Sequence, residues 1–269
     1  METLSAAKLR GHRVPPGSLT LWWLGQAGFV IKSPSGTLIA IDPYLSNSAE
    51  PIGREYGFDF DRLVAPPLTA HELVGVDVYA MTHSHADHLD PETLAGYRAA
   101  GGAGPYLAPA ETAMKLEELG VPPDQIHMTW PNKTYTVGDI RIRATFAIPF
   151  SGDDLTHVGY LVQVPGGVSA YFTGDTAYHE LLAIAAAPHQ PDMLIAVING
   201  AFRNMGPAEA ARLAKELNVK VAIPCHYDLF PDNSLPATLF HTNLKIEGMG
   251  DRFRQLAHGE PFTFPGGPS

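Results

Sequence analysis

Short apolar runs, each ended by glycine, proline or a polar cluster, succeed one another along this chain. Leu19 to Phe29 is largely apolar, broken at Gly25 and Gly28, and a Pro34-Ser35-Gly36 turn separates it from the run Thr37 to Ile41. This predicts a β-hairpin or meander. Ser46 to Pro67 has no clear period and holds Pro51, Gly53, Gly57, Pro66 and Pro67. It reads as one long loop, the kind of segment that in a compact domain often carries function. Val76 to Met81 is a β-branched and apolar strand. Pro91, with Asp90 before it as N-cap, opens a helix that runs to about Ala100. Tyr106 to Ala108 reads as a strand, and Pro109 to Leu119 as a helix stopped by Gly120. Further strands are expected at Ile140 to Phe146, Val158 to Val164 and Ser169 to Phe172, the last two joined by Pro165-Gly166-Gly167. Leu181 to Ala187 is helical, Met193 to Ile198 a buried strand, and Pro207 to Leu217 a helix with apolar spacing at Ala211, Ala214 and Leu217. Val219 to Ile223 is a strand after Asn218, and the tail from Leu229 is loop and helix with a last strand near Phe262 to Phe264.

Each half of the chain therefore runs through strands and then through strand–helix alternation. Two such halves facing each other make an α/β fold, a four-layer αββα sandwich, expected as one domain over residues 1–269.

Composition narrows the partners. A chain of 269 residues that is 45% hydrophobic can bury one large core or two modest ones. The formal net charge of −10 repels phosphate backbones and anionic headgroups, so nucleic acid and membrane surfaces are not expected partners and a small molecule is. One cysteine, Cys225, can form neither an internal disulfide nor a thiolate zinc site, which fits a reducing compartment. Met1 to Pro16 lacks the apolar core of a signal peptide, and the most apolar runs are strand-sized. The expectation is a cytoplasmic protein.

The histidines change the picture. Twelve are present, and His83-Ser84-His85-Ala86-Asp87-His88 follows directly on the Val76 to Met81 strand. Two histidines two apart on extended chain point the same way, and the loop brings Asp87 and His88 round as the next helix starts. That offers four metal donors in six residues, enough for two ions; four polar residues capping a helix is the bland alternative. Asp175 ends the strand Tyr171-Phe172-Thr173-Gly174, and His226 follows the strand Val219 to Cys225. Singly, each is an ordinary turn or loop residue. Three strand ends each bearing a ligand type weigh more together, because such loops are where scaffolds place chemistry. Asp42 also ends a strand and is assigned to orienting a ligating imidazole through its second nitrogen, with a turn aspartate before Pro43 as the alternative. Imidazole and carboxylate donors without thiolate suit Zn²⁺, Mn²⁺ or Fe²⁺.

These clusters, in this order, resemble the metallo-β-lactamase superfamily, and more narrowly its L-ascorbate-6-phosphate lactonase branch and related uncharacterised hydrolases. The matching stretches are Trp22 to Phe29, the histidine motif with Leu89-Asp90, Thr173-Gly174-Asp175, and Ile223-Pro224-Cys225-His226-Tyr227-Asp228. The resemblance implies that His83 and His85 serve one metal position, Asp87, His88 and His226 another, and that Asp175 bridges. The residue completing the His83/His85 side stays open among His157, Asp153 and Asp154, and with it the count of one or two ions. The lactonase branch points to manganese and general superfamily usage to zinc. The implied chemistry is attack of a metal-activated hydroxide on an ester, lactone or phosphoester, with Asp87 orienting the nucleophile and carrying its proton. Tyr227 is a candidate donor to the oxyanion, or simply a packed loop tyrosine. Arg203 and Asn204, ahead of a helix N-terminus, are candidate contacts for a substrate phosphate, against a solvated arginine; Lys32, Arg54 and His179 are weaker candidates.

The leading expectation is a lactonase acting on a small sugar-acid lactone, with or without a phosphate. A phosphodiesterase or nuclease, an N-acyl-phospholipid hydrolase, and a non-catalytic metal-bound regulatory or scaffold protein are the rivals. Relatives of the lactonase type imply self-assembly into homo-oligomers.

Overall fold

The structure, a computed structural model, describes residues 4–149 and 155–265. Asp153 and Asp154 lie outside them. Strands β1 (Leu19–Gly25), β2 (Gly28–Lys32), β3 (Leu38–Ile41), β4 (Val78–Ala80), β5 (Tyr106–Ala108) and β6 (Ile126–Met128) lie side by side in chain order. A second sheet holds β7 (Thr134–Val137), β8 (Ile140–Phe146), β9 (Val158–Gln163), β10 (Ser169–Phe172), β11 (Met193–Val197) and β12 (Val221–Cys225), also in chain order. A last strand, β13 (Pro261–Phe264), returns to the first sheet and pairs antiparallel with β1. Each half changes from antiparallel to parallel pairing part-way: at β3/β4 in the first sheet and β10/β11 in the second.

Strand alternation builds the layers. In β1, Leu19, Leu21 and Trp23 face the second sheet, and Trp22 and Leu24 face away from it. The same split recurs in β2 (Phe29 and Ile31 against Val30), β3 (Ile39 and Ile41 against Leu38 and Ala40) and β4 (Val78 and Ala80 against Tyr79). With a period of two, one strand thus serves two cores. The outward core is closed by α3 (Pro91–Ala99) and α4 (Ala110–Glu118) through Leu94, Tyr97, Ala113 and Leu116. Beyond the second sheet, α5 (Glu180–Ala186), α6 (Pro207–Glu216) and α7 (Ala237–Ile246) bring Leu182, Leu213 and Phe240 into the other core. The result is the expected αββα sandwich.

Four elements depart from expectation, the first being the helix α1 (Ala6–Gly11), which no apolar period announces. Residues 46–67 are not one loop, since they contain the helix α2 (Glu50–Tyr56). Seven residues are too few to show a helical period, yet both end signals are present: Pro51 in the first turn, and Gly57, which closes the helix at φ 80°. Strands β6 and β7 were not foreseen; β6 has three residues, two of them exposed, and β7 is mostly half-buried. Among the described residues, no helix is long and apolar enough to cross a membrane.

Candidate metal centre

The parallel pairing gathers the polar strand ends. Because β3 and β4 run parallel, Asp42 and Thr82 leave the same edge of the first sheet; Asp42 N donates to Ala80 O at 2.9 Å. In the second sheet, β10 and β12 end at the edge where antiparallel β9 begins, so Asp175, His226 and His157 meet there. Hydrogen bonds between the sheets fix this edge. Val158 N donates to Thr82 O at 3.0 Å, Tyr160 Oη to Met81 O at 2.8 Å, and His226 N to Gln26 O at 2.9 Å. Gly174 permits the approach: its φ is 61°, and a Cβ there would sit 2.7 Å from Val158 O. Gln26, Asp42 and His226 hold left-handed backbone at φ 50°, 44° and 59°. A non-glycine residue so placed costs about 1–3 kcal/mol, a strain that clusters at functional sites.

Three groups of donor atoms result, each with all its atoms within 4.8 Å of one another: His83 with His85 and His157; His83 with His88 and Asp175; Asp87 with His88 and His226. His83 Nε2 lies 3.0 Å from His85 Nδ1, and the rings of His88 and His157 each lie 3.9 Å from that of His83. Asp175 reaches both sides, with Oδ1 3.4 Å from His88 Nε2 and Oδ2 3.3 Å from His226 Nε2.

Each of several donors is oriented by a second residue. Asp42 Oδ2 lies 2.8 Å from His88 Nδ1 and is itself fixed by Thr82 Oγ1 at 2.5 Å, while Thr82 N donates to Asp42 Oδ1 at 2.7 Å. His88 Nε2 is thereby turned toward Asp175 and Asp87. His157 Nδ1 lies 3.2 Å from Asp175 O, which directs its Nε2 to His83 and His85. Gln26 Nε2 donates to Asp87 Oδ2 at 2.8 Å, and Asn204 Nδ2 to Asp175 Oδ2 at 2.6 Å.

The electrostatics follow from the crowding. Burial pushes His83 well below the ordinary imidazole range, and neighbouring His88, His157 and His85 push the same way. That keeps it neutral, as a ligand must be. For His88 burial works downward too, but Asp175, Asp87 and Asp42 overcome it and raise the ring well above its usual range; His226 is likewise pushed up to about 9 by Asp175 and Asp87 against its burial. Burial alone would raise Asp87 and Asp175, yet the same imidazoles hold both carboxyls below the carboxylate range. The residues fit a cation. His88 Nε2 and Asp175 Oδ1 are buried facing each other and hydrogen-bond to no described residue. Unsatisfied buried polar atoms are costly, and a divalent ion between them would satisfy both.

The cluster opens into a cavity of about 740 Å³, whose lining includes the donors His85, Asp87, His157 and Asp175 and the apolar and aromatic group Ile52, Tyr56, Phe58, Phe60, Phe202 and Phe230. Asn204 is on its lining, committed to Asp175 rather than turned to a phosphate. Arg203 is exposed and not on the lining, contrary to its expected substrate contact. Tyr227 is also corrected: its ring is fully buried, stacked on Trp23 at 4.8 Å, and burial drives its hydroxyl far above the usual tyrosine range. It is a core residue and does not line the cavity. Lys32 is spent on the carbonyls of Leu9, Arg10 and His12, Arg54 pairs with Glu50, and His179 caps α5. Sequence reasoning assigned no role to Gln26, although it lies in the matched Trp22 to Phe29 stretch. It also passed over the aromatic wall, whose members come from the end of α2 and from separate loops with no shared period to reveal them.

The fold and the donor set define a metal-binding αββα protein. Residues 20–226 match the family pattern described as the β-lactamase superfamily domain, and the chain belongs to that family. It is 31% identical over 226 residues to a metal-dependent hydrolase of Myxococcus xanthus, covering 80% of this chain and 72% of that one. Over 260 residues it is 26% identical to a probable L-ascorbate-6-phosphate lactonase of Salmonella paratyphi B, covering 83% and 73%. Among solved structures, a metallo hydrolase from Ignicoccus hospitalis superposes with a TM-score of 0.74 at 21% identity, covering 93% of this chain and all of that one. An isothiocyanate hydrolase from Delia radicum gut bacteria gives 0.70 at 17% identity, covering 90% and 98%. The last two likenesses concern the fold.

Proposed function

We propose that this chain, a metal-dependent hydrolase of the metallo-β-lactamase superfamily, opens the ring of a small lactone. The observation that carries the reading is the convergence of three largely buried donor groups, each with at least one member on the lining of one cavity. The lactone is supported by the 26% identity to a lactonase over most of both chains. His83, His85 and His157 would hold one ion and Asp87, His88 and His226 a second, with Asp175 reaching both; Mn²⁺ and Zn²⁺ each suit these donors. When bound, such an ion polarises the carbonyl and lowers the pKa of a water to about 7.

The protein's own groups do the rest. Ring opening joins a water oxygen to the acyl carbon and breaks its bond to the ring oxygen, while the water's proton ends on the departing alkoxide. Asp87 lines the cavity and is held ionised by His88 and His226. With Oδ2 fixed by Gln26, it accepts a hydrogen bond from the water and relays that proton. Asn204 keeps Asp175 from swinging into the cavity. The direct test is metal analysis of the purified protein together with assays on lactones, phosphodiesters and N-acyl lipids. At least one transition metal per chain and turnover of lactones are expected; a protein that stays metal-free in excess Mn²⁺ and Zn²⁺ would sink the reading.

A further inference from the structure

The cavity lining holds two unlike groups of residues, and the aromatic group has no counterpart in the chemistry above. Phe58 and Phe60 stack with centroids 5.7 Å apart and planes within 6°. Phe202 meets both edge-on at 5.3 and 6.2 Å, and Phe60 stacks at 5.2 Å on Phe230. Tyr56 and Phe58 are exposed although they line the cavity, so apolar ring surface faces the space a substrate would enter. The polar partners a phosphorylated substrate needs are scarce. Among the described lining residues, Lys115 is the one ammonium or guanidinium group, and its Nζ donates to Ser84 O at 3.2 Å. Glu118, Asp87 and Asp175 share that lining, in a chain of net charge −10. Phosphate recognition relies on arginine forks, lysines or clustered amides, whereas an aromatic wall recognises flat apolar groups.

From this we infer the substrate class: an uncharged lactone or ester carrying an aromatic ring, seated against Phe58, Phe60 and Phe202 while its acyl carbon faces the His/Asp cluster. This rests on the hydrolytic reading above and specifies the group beside the scissile bond. It replaces the phosphorylated sugar acid. The wall is built for this: Asp59 N donates to Asp232 Oδ2 at 2.6 Å and Leu63 N to Leu229 O at 2.9 Å, so the 58–63 segment is anchored to the loop that carries Phe230.

The test uses the metal-loaded full chain and three γ-butyrolactones bearing a phenyl, a methyl or a phosphorylated hydroxymethyl group at the γ carbon. The phenyl compound is expected to show kcat/KM about tenfold or more above both others, the scale of discrimination an apolar pocket achieves. In Phe58→Ala and Phe202→Ala the phenyl-to-methyl ratio of kcat/KM should fall by about tenfold. Binding of the non-hydrolysable γ-phenyl-γ-butyrolactam, measured by calorimetry, gives a second readout and should weaken in the same variants. A phosphorylated or methyl lactone turned over as well as the phenyl one, or a phenyl preference that survives both substitutions, overturns the inference and leaves the lactonase reading standing. No lactone turnover, with the lactam still bound in a Phe58- and Phe202-dependent way, overturns the lactonase reading and supports the apolar substrate.

Discussion

The two groups of residues in the cavity lining are held in place by different physics. The donor side is positioned by short directional contacts between buried groups: Thr82 to Asp42 to His88, Gln26 to Asp87, Asn204 to Asp175. The aromatic side is positioned by ring packing on a short helix and the segment after it, with Phe58 exposed. A hydrogen-bonded, desolvated carboxylate tolerates little displacement before its partner is stranded. Ring contacts are broad in angle and individually weak. The donor side therefore governs whether chemistry happens at all, and the aromatic side governs which molecule it happens to.

That contrast can be broken experimentally, starting where the effect is largest. Replacing Asp175 or His88 by Ala should remove metal and lower kcat/KM by more than the roughly hundredfold seen for outer hydrogen-bond partners; a variant that keeps its full metal content and rate would take that residue out of the centre. Asp42→Asn keeps the shape and can still accept from Thr82 N, but it puts an NH2 donor where Oδ2 accepts from Thr82 Oγ1 and faces His88 Nδ1, and it removes the charge there. Metal affinity, by competition with a chelator, should fall about 10- to 100-fold, and an unchanged affinity would reduce Asp42 to a turn residue. Gln26→Ala and Asn204→Ala each remove one hydrogen bond to a charged oxygen, worth about 1.5–3 kcal/mol. About a tenfold loss in kcat, with KM less affected, would separate positioning from substrate binding. Stripping metal with EDTA should lower the Tm by about 2–4 °C per kcal/mol of lost binding energy, with recovery on adding back Mn²⁺ or Zn²⁺. The smallest effect on the metal is expected from Phe202→Ala, whose bound metal per chain should match the parent; a drop there would show that the two sides are not independent.

How much of this could be read from residues alone depended on locality. His83 to His88 stands out because donors within six residues need no tertiary information. Asp175 and His226 are visible as polar residues closing apolar strands, and Asp42 by the same sign. His157 lacks that mark, because it precedes its strand and is brought to His83 by the antiparallel turn of β9 against β10. Gln26 is invisible for another reason: its role depends on a left-handed residue at the β1–β2 turn, which carries its amide to Asp87, 61 positions away. The aromatic wall is the extreme case. Phe58, Phe202 and Phe230 sit in loops far apart in sequence, and only folding makes them neighbours. Helix α2 was missed although both of its end signals were present, because proline and glycine within twenty residues read equally well as loop punctuation. Tyr227 was misplaced because adjacency to His226 along the chain says nothing about direction: successive residues turn to opposite sides, and this one turns to Trp23.

The return of β13 to the first sheet bears on how the chain is made. Leu19 pairs with Phe264 and Trp22 with Pro261, so the backbone edge of β1 waits for the far end of the described chain. During synthesis Leu19-Thr20-Leu21-Trp22-Trp23 is an open apolar edge, a template for pairing with another nascent chain. Closing so distant a contact is slow compared with local structure. A version ending before Pro261 would keep that edge permanently open, and its expected fate is aggregation during expression, with the metal-binding residues all still present in the sequence.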